Sequence, residues 1–369
     1  MIRVAYSVEQ CWHEVPGGTA VAALRVAREF QRQEFADDVD LRFVAGKHAA
    51  PPAPDLRPVG QVAMLPLGRP LLYEGWTRLN WPRVESVTGP VDVVHATGLI
   101  PCATGAPLVV SVHDVAFLHD PAKFTRHGVK SMTRALGTIR KRAALVIVPS
   151  RASFEDCIDA GLSEQRLRLV TLGVDQLTAT VAEVDDARRN HDLPPEFVLF
   201  VGTVEPRKNL HRLVSAMAVA DGPVGELPLV IAGSDGWGDA RTDVADTAVR
   251  AGLDVRFLGY VSEADLRGLY ASASVVAYPS EREGFGLPVA EAMTQGAAVV
   301  TSRGTSTEEV AGGAAVLVDP FDVDDIARGL DEAHRRGDEL AEPARARAAE
   351  LDWAATARST LDVYREVVT

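Results

Sequence analysis

The sequence predicts an α/β protein of two doubly wound parallel-sheet domains in tandem, and three observations carry that prediction. Short apolar runs bounded by turn residues recur along the chain, as expected for parallel strands covered on both faces. Helical stretches stand between them, giving the βα alternation of an open sheet. A polar segment near the middle interrupts the alternation once, and it then begins again. At 369 residues and 47% hydrophobic content, the chain is long enough for two packed cores.

Ile2 to Val8 is a β-branched run, followed by a loop containing Pro16-Gly17-Gly18 and a helix carrying Val21, Leu24, Ala27 and Phe30 at helical spacing. Glycines before a helix N-terminus let the backbone approach an anion, with amides and the helix dipole facing it. Two glycines do not make the six-residue dinucleotide fingerprint, so an ordinary flexible turn is the alternative. Further strands are expected at Leu41 to Ala45, Val91 to His95, Leu108 to His113, Leu145 to Val148 and Arg168 to Leu172. His113-Asp114 ends one of these on the edge where open sheets bind ligands. His95 ends its neighbour and is an acceptor-side candidate; for either histidine a hydrogen-bonded structural role is the alternative.

Gln176 to Glu196 is polar, holds Asp185-Asp186 and Pro194-Pro195, and reads as the crossing between domains with a short helix. The domains are accordingly expected at 1–175 and 176–352. Second-half strands are expected at Phe197 to Val201, Leu229 to Ala232, Val255 to Leu258, Val275 to Tyr278, Ala298 to Thr301 and Ala315 to Val318.

Two loops of this half carry chemistry. Gly202-Thr203-Val204-Glu205-Pro206-Arg207-Lys208-Asn209 lies between a strand end and the helix Leu210 to Val219. An Arg fork and a Lys point charge beside a helix N-terminus suit phosphate oxygens; solvated basic residues are the plain alternative. Tyr278 to Gly296 reads YPSEREGFGLPVAEAMTQG, with Gly284 and Gly286 in a tight turn and Pro288 opening a helix. Glu283 on the loop and Glu291 on the helix can face one crevice, where a carboxylate accepts hydrogen bonds from sugar hydroxyls.

Composition excludes several classes. A net charge of −13 argues against a nucleic-acid binder, which needs a basic surplus. Cys11, Cys102 and Cys157 are an odd, widely spaced set that matches neither a disulfide framework nor a zinc site, which points to a reducing cytoplasm. No apolar run approaches the roughly 20 residues of a membrane span, so any membrane contact is peripheral. Asp322-Val-Asp324 precedes an amphipathic helix with Ile326 and Leu330, so capping explains it better than a metal.

Glu-Gly-Phe-Gly-Leu-Pro followed by Glu-Ala-Met closely resembles the donor-sugar motif of the retaining glycosyltransferases of family 4. Gly-Thr-Val-Glu-Pro-Arg-Lys-Asn-Leu resembles that family's diphosphate loop, particularly in the branch with many mannosyltransferases. The resemblance covers nearly the whole chain. It implies the GT-B fold, two Rossmann-like domains facing each other across a cleft, with a final helix, Trp353 to Val367, returning to the first, acceptor-binding domain. It also implies transfer of a hexose, with mannose from GDP-mannose favoured, to an acceptor hydroxyl with retention and no metal. Lys208 matches the family lysine; where many relatives have an Arg after the glycine this chain has Thr203, and Arg207 is proposed as the substitute. The resemblance casts Lys208, Arg207 and the Gly17 and Gly18 amides as stabilisers of the leaving diphosphate. It gives Glu283 and His113 to the sugar and Glu291 to the ribose. Gly202, Gly284, Phe285, Gly286 and Leu287 belong to the donor-binding motifs, and Tyr260 lies where the base is held, as packing or as a stacking surface. A sugar phosphorylase on the same fold, or a non-catalytic nucleotide-sugar binder, is the rival reading.

Pro121 to Ser150 holds seven Lys or Arg and no acidic residue. A helix from Arg126 to Ala143 places Val129, Met132, Leu136, Ile139 and Ala143 on one face, and Arg126, Lys130, Arg134 and Lys141 on another. Such a stripe is either a solvated face or a contact for an anionic membrane or acceptor, which would put the enzyme at the inner face of the plasma membrane with a lipid-linked sugar as acceptor.

Overall fold

A computed structural model describes residues 1–13 and 17–369. It divides into two units, Met1–Gly173 with Asp352–Thr369, and Val174–Leu351. The first holds β1 (Ile2–Ser7), β2 (Val39–Ala45), β3 (Val62–Met64), β4 (Val93–Ala96), β5 (Leu108–Ser111), β6 (Leu145–Val148) and β7 (Leu167–Leu169). These form one parallel sheet in the order β3-β2-β1-β4-β5-β6-β7. Its central strands β4, β5 and β6 are buried at every position, which explains their unbroken apolar runs. β3 went unseen in the sequence because it is a three-residue edge strand with no fully buried residue. β5 stops at Ser111, so His113 lies on the loop after the strand rather than at its end.

The second unit holds β8 (Val198–Val201), β9 (Leu229–Ala232), β10 (Val255–Gly259), β11 (Val275–Tyr278), β12 (Val299–Ser302) and β13 (Val316–Val318), parallel in the order β10-β9-β8-β11-β12-β13. The polar stretch Gln176 to Glu196 contains a short helix, Val181–Asn190, closed by a capping box between Thr180 and Glu183. It packs on the helix Glu263–Ser272 as part of this unit. A Cβ on Gly268 would meet the Glu183 carbonyl oxygen at 2.5 Å, so the two helices approach as closely as glycine permits.

The helix Trp353–Val368 belongs to the first unit and buries Trp353, Thr356, Ala357, Thr360, Leu361, Val363 and Tyr364. Asp352 caps it, accepting from the amides of Ala354 and Ala355. Gly173 admits the helix start: a Cβ there would stand 2.3 Å from the Trp353 amide nitrogen.

Candidate active site

β8 pairs with β11 where the strand order of the second sheet reverses, and such reversals open a ligand crevice at the carboxyl ends of the strands. The loop after β8 carries Arg207 and Lys208, and the loop after β11 carries Glu283. Topology therefore joins two segments 75 positions apart.

The first loop is shaped by backbone approach. Gly202 has φ +148°, and a Cβ on Gly233 of the neighbouring loop would lie 2.1 Å from the Gly202 carbonyl oxygen. Pro206–Lys208 then make one 3-10 turn, and Asn209 takes the left-handed conformation at φ +64° before the helix Leu210–Val219. The buried Asn209 amide donates to the carbonyls of Pro279 at 2.9 Å and Pro320 at 2.6 Å, tying this loop to the one after β11.

The side chains so positioned form a buried ionic cluster. Lys208 Nζ donates to Glu283 Oε1 and to the Tyr278 hydroxyl, each at 2.6 Å. Lys208 is 7% exposed and Glu283 9%. Arg207 Nη1 donates to Glu283 Oε2 at 3.2 Å, and its Nε stands 2.5 Å from Glu205 Oε1. Burial alone would raise the Glu283 carboxyl, but the Lys208 and Arg207 charges outweigh it and hold that group at about 2. Burial pushes Glu205 up, against the pull of the same two cations. Burial also pushes the Lys208 ammonium down, with Glu283 opposing. A carboxylate held so low is ionised and weakly basic, so it suits accepting hydroxyl hydrogen bonds better than removing protons. Of the three Lys208 ammonium protons, these two contacts use two.

Glu291 stands outside this cluster. On the helix Leu287–Thr294 its Oε2 accepts from the buried Tyr270 hydroxyl at 2.9 Å. Between the two acids, Gly284, Phe285, Gly286 and Leu287 are all buried. Gly286 has φ +108°, and a Cβ there would meet Thr307 Cγ2 at 2.6 Å. This turn therefore offers a ligand backbone atoms rather than side chains. Tyr260, just after β10, is 66% exposed. Asp322 caps the helix Val323–Arg335, accepting from the amides of Asp324 and Asp325.

In the first unit, Gly17 and Gly18 are themselves the first residues of the helix Gly17–Phe30, not a loop before it; Pro16 lies outside the described residues. His113 is half-buried, donates from Nε2 to the Thr97 carbonyl at 3.3 Å, and has its imidazole pushed down by burial despite Asp114 nearby. His95 does not serve an acceptor. It is buried, its ring nitrogens are bonded to Tyr364 at 2.6 Å and Ser111 at 2.8 Å, and burial pushes it down to about 3. The three cysteines are buried and unpaired, with thiols pushed up to about 12 by burial, so none is an activated nucleophile.

Glu205, Asn209, Tyr270 and Tyr278 were not assigned from the sequence. Three of them lie inside the quoted motifs, but nothing in the residue pattern marks Tyr270, whose role depends on two helices packing together.

The family model described as Glycosyl transferases group 1 matches residues 182–350, and the one described as Glycosyltransferase Family 4 matches residues 16–176. O-antigen chain mannosyltransferase B of Escherichia coli is 32% identical over 268 residues, covering 70% of this chain and 70% of that protein. D-inositol 3-phosphate glycosyltransferase 2 of Catenulispora acidiphila is 29% identical over 387 residues, covering 94% of this chain and 90% of that protein. The crystal structure of Anabaena Alr3699/HepE in complex with UDP and glucose superposes with a TM-score of 0.75 at 20% identity, covering 99% of this chain and 100% of that one. With both halves matched and these relatives aligned, the chain belongs to glycosyltransferase family 4 and is a group 1 glycosyltransferase of the GT-B fold.

Proposed function

We propose that the protein transfers a hexose from a nucleotide diphosphate sugar to a hydroxyl of a sugar or lipid-linked sugar acceptor, with retention of configuration and without a metal ion. The carrying observation is the Arg207–Lys208 pair gathered on Glu283 at the strand reversal of the second sheet. A buried lysine and a half-buried arginine there suit the charge that develops on a departing diphosphate. Glu283 holds sugar hydroxyls, Glu291 the ribose, and Tyr260 flanks the base. Gly17, Gly18 and His113 keep the donor-side roles that the family resemblance gives them. Both carboxylates of the cluster are engaged by cations, Glu283 by Lys208 and Arg207 and Glu205 by Arg207, which favours a same-face reaction in which the leaving phosphate accepts the acceptor's proton. The mannosyltransferase relative favours mannose, and GDP-mannose as donor. A thermal-shift screen of nucleotide sugars tests the donor: a ligand at a hundred times its dissociation constant stabilises by about 2.7 kcal/mol. Stabilisation by no nucleotide sugar would sink the proposal, and phosphate-dependent breakdown of a disaccharide would replace it with a phosphorylase.

The basic stretch supports a peripheral site of action at the inner face of the plasma membrane. No helix among the described residues is long and apolar enough to cross a membrane. The helix Arg126–Arg142 leaves Arg126, Lys130 and Lys141 exposed, while Arg134 pairs with Glu74. On and beside the Glu74 segment, Leu71, Leu79 and Trp81 are 64%, 74% and 54% exposed. Exposed apolar side chains beside basic ones suit an anionic lipid surface, each basic group contributing about 1 kcal/mol near it. Sedimentation with anionic vesicles, comparing wild type with Arg126→Glu/Lys130→Glu, tests this; wild type remaining in the supernatant at low salt removes the membrane.

A further inference from the structure

The open end of the first sheet carries a second organised group of side chains, none of which is among the residues the family resemblance assigns. Trp12 follows β1, His48 follows β2 and Arg69 follows β3, three neighbouring strands of the sheet. The Trp12 and His48 rings are stacked, with centroids 4.6 Å apart and an interplanar angle of 7°. Trp12 Nε1 donates to the Ala50 carbonyl at 2.8 Å, so both the face and the edge of the indole are fixed. Beneath them the buried Glu9 accepts from the Gly46 amide at 2.6 Å and lies 3.0 Å from His48 Nε2. Its other oxygen faces Arg69 Nε at 3.2 Å, and Arg69 Nη2 donates to the Trp12 carbonyl. One buried carboxylate thus organises an aromatic plate and a guanidinium side by side.

This arrangement is more than core packing. Trp12 and His48 are only half-buried, and the Arg69 side chain is 30% exposed, so the group keeps a solvent-facing surface. A rigid aromatic face beside a fork of N–H donors matches a pyranose ring, whose axial C–H groups lie on an aromatic plane while its rim presents hydroxyls.

We infer that Trp12, stacked on His48, is the floor of a subsite for a pyranose ring, with Arg69 donating hydrogen bonds to that ring's hydroxyls. Under the transferase reading, on which this inference rests for the ring's role, the ring is the acceptor sugar.

The test uses the full chain and a panel of methyl pyranosides of mannose, glucose, galactose and N-acetylglucosamine, with binding read by saturation-transfer NMR. Wild type is expected to bind at least one, and Trp12→Ala to bind it about tenfold more weakly or worse. Trp12→Phe keeps an aromatic face but loses the same Ala50 hydrogen bond, so it is expected to stay within about threefold of wild type, separating loss of the plate from a loosened loop. Thermal shifts with GDP and UDP should be the same in all three proteins, because no residue given to the nucleotide is altered. Undiminished pyranoside binding in Trp12→Ala, equal losses in Ala and Phe, or no binding of any pyranoside to wild type would each overturn the subsite. A wild-type chain that binds a pyranoside at Trp12 but no nucleotide would instead overturn the transferase reading and leave the subsite standing.

Discussion

Lys208 and Glu283 form a buried ion pair 2.6 Å apart, closed on one side by the Tyr278 hydroxyl and shared on the other with Arg207. Removing two charges from water carries a cost that their attraction only partly offsets, so such a pair is weak evidence for stability. Its place at the strand reversal fits the proposed transfer, in which negative charge develops on the leaving diphosphate.

Replacing the lysine should therefore affect turnover more than binding. For Lys208→Ala, kcat is expected to fall by about two to three orders of magnitude, with a smaller change in donor dissociation constant. Single-turnover kinetics alongside donor titration gives both numbers, and a change confined to KM counts against the role.

Glu291 should act on the part of the donor shared with the free nucleotide. Glu291→Ala is expected to weaken nucleotide sugar and nucleoside diphosphate alike, by about 1.5 to 3 kcal/mol for a charged hydrogen bond. Tyr270→Phe, which removes the donor to Glu291 Oε2 without removing the carboxylate, should cost less. Calorimetric titration of the three proteins distinguishes a ribose ligand from a packing residue, because unchanged nucleotide affinity in Glu291→Ala refutes the assignment.

Stability should depend on acid through Glu283. Its folded-state pKa, about 2, lies below the ordinary 4.5, so the folded state binds this proton later than the unfolded state. The stabilisation is fully present above about pH 4.5 and is lost as pH falls towards 2, on the order of 3 kcal/mol in all. Glu205 is shifted the other way and offsets part of it. Urea unfolding of wild type and Glu283→Gln between pH 6 and 3 should show a shallower acid slope for the variant; parallel slopes would mean that Glu283 is not the depressed group.

Asn209 holds the two loops in register. Asn209→Gly keeps the left-handed backbone and loses the two side-chain hydrogen bonds, whereas Asn209→Ala loses both features. Losses of about 2 kcal/mol for Gly, and more for Ala, are expected from thermal melts. Equal stability of Gly and wild type would show that the side-chain bonds contribute nothing.

Activity should survive an excess of chelator. Asp322 spends its carboxylate on two backbone amides at a helix start, which leaves the Asp322–Asp324 pair a capping device. Complete loss on chelation, restored by manganese, would reverse this.

The sequence by itself determined the α/β class, nearly every strand and both charged loops. Those features are local: a buried parallel strand must be continuously apolar, and a tight turn before a helix must use glycine or proline at fixed places. It also determined that Lys208 and Glu283 stand on strand-end loops, because each follows such a run. Only the tertiary structure decided that the two touch, since β8 and β11 become neighbours through the crossover order of the sheet, which no local pattern records. The same holds for His95, a strand-end histidine in sequence but a satisfied core residue once Tyr364 arrives from the last helix. It holds for Glu291, whose partner Tyr270 comes from a different helix, and for the Trp12–His48 plate, where two separate loops meet. In each case the sequence supplied the functional group, but the environment that sets its charge, orientation and access came from chain segments distant in sequence.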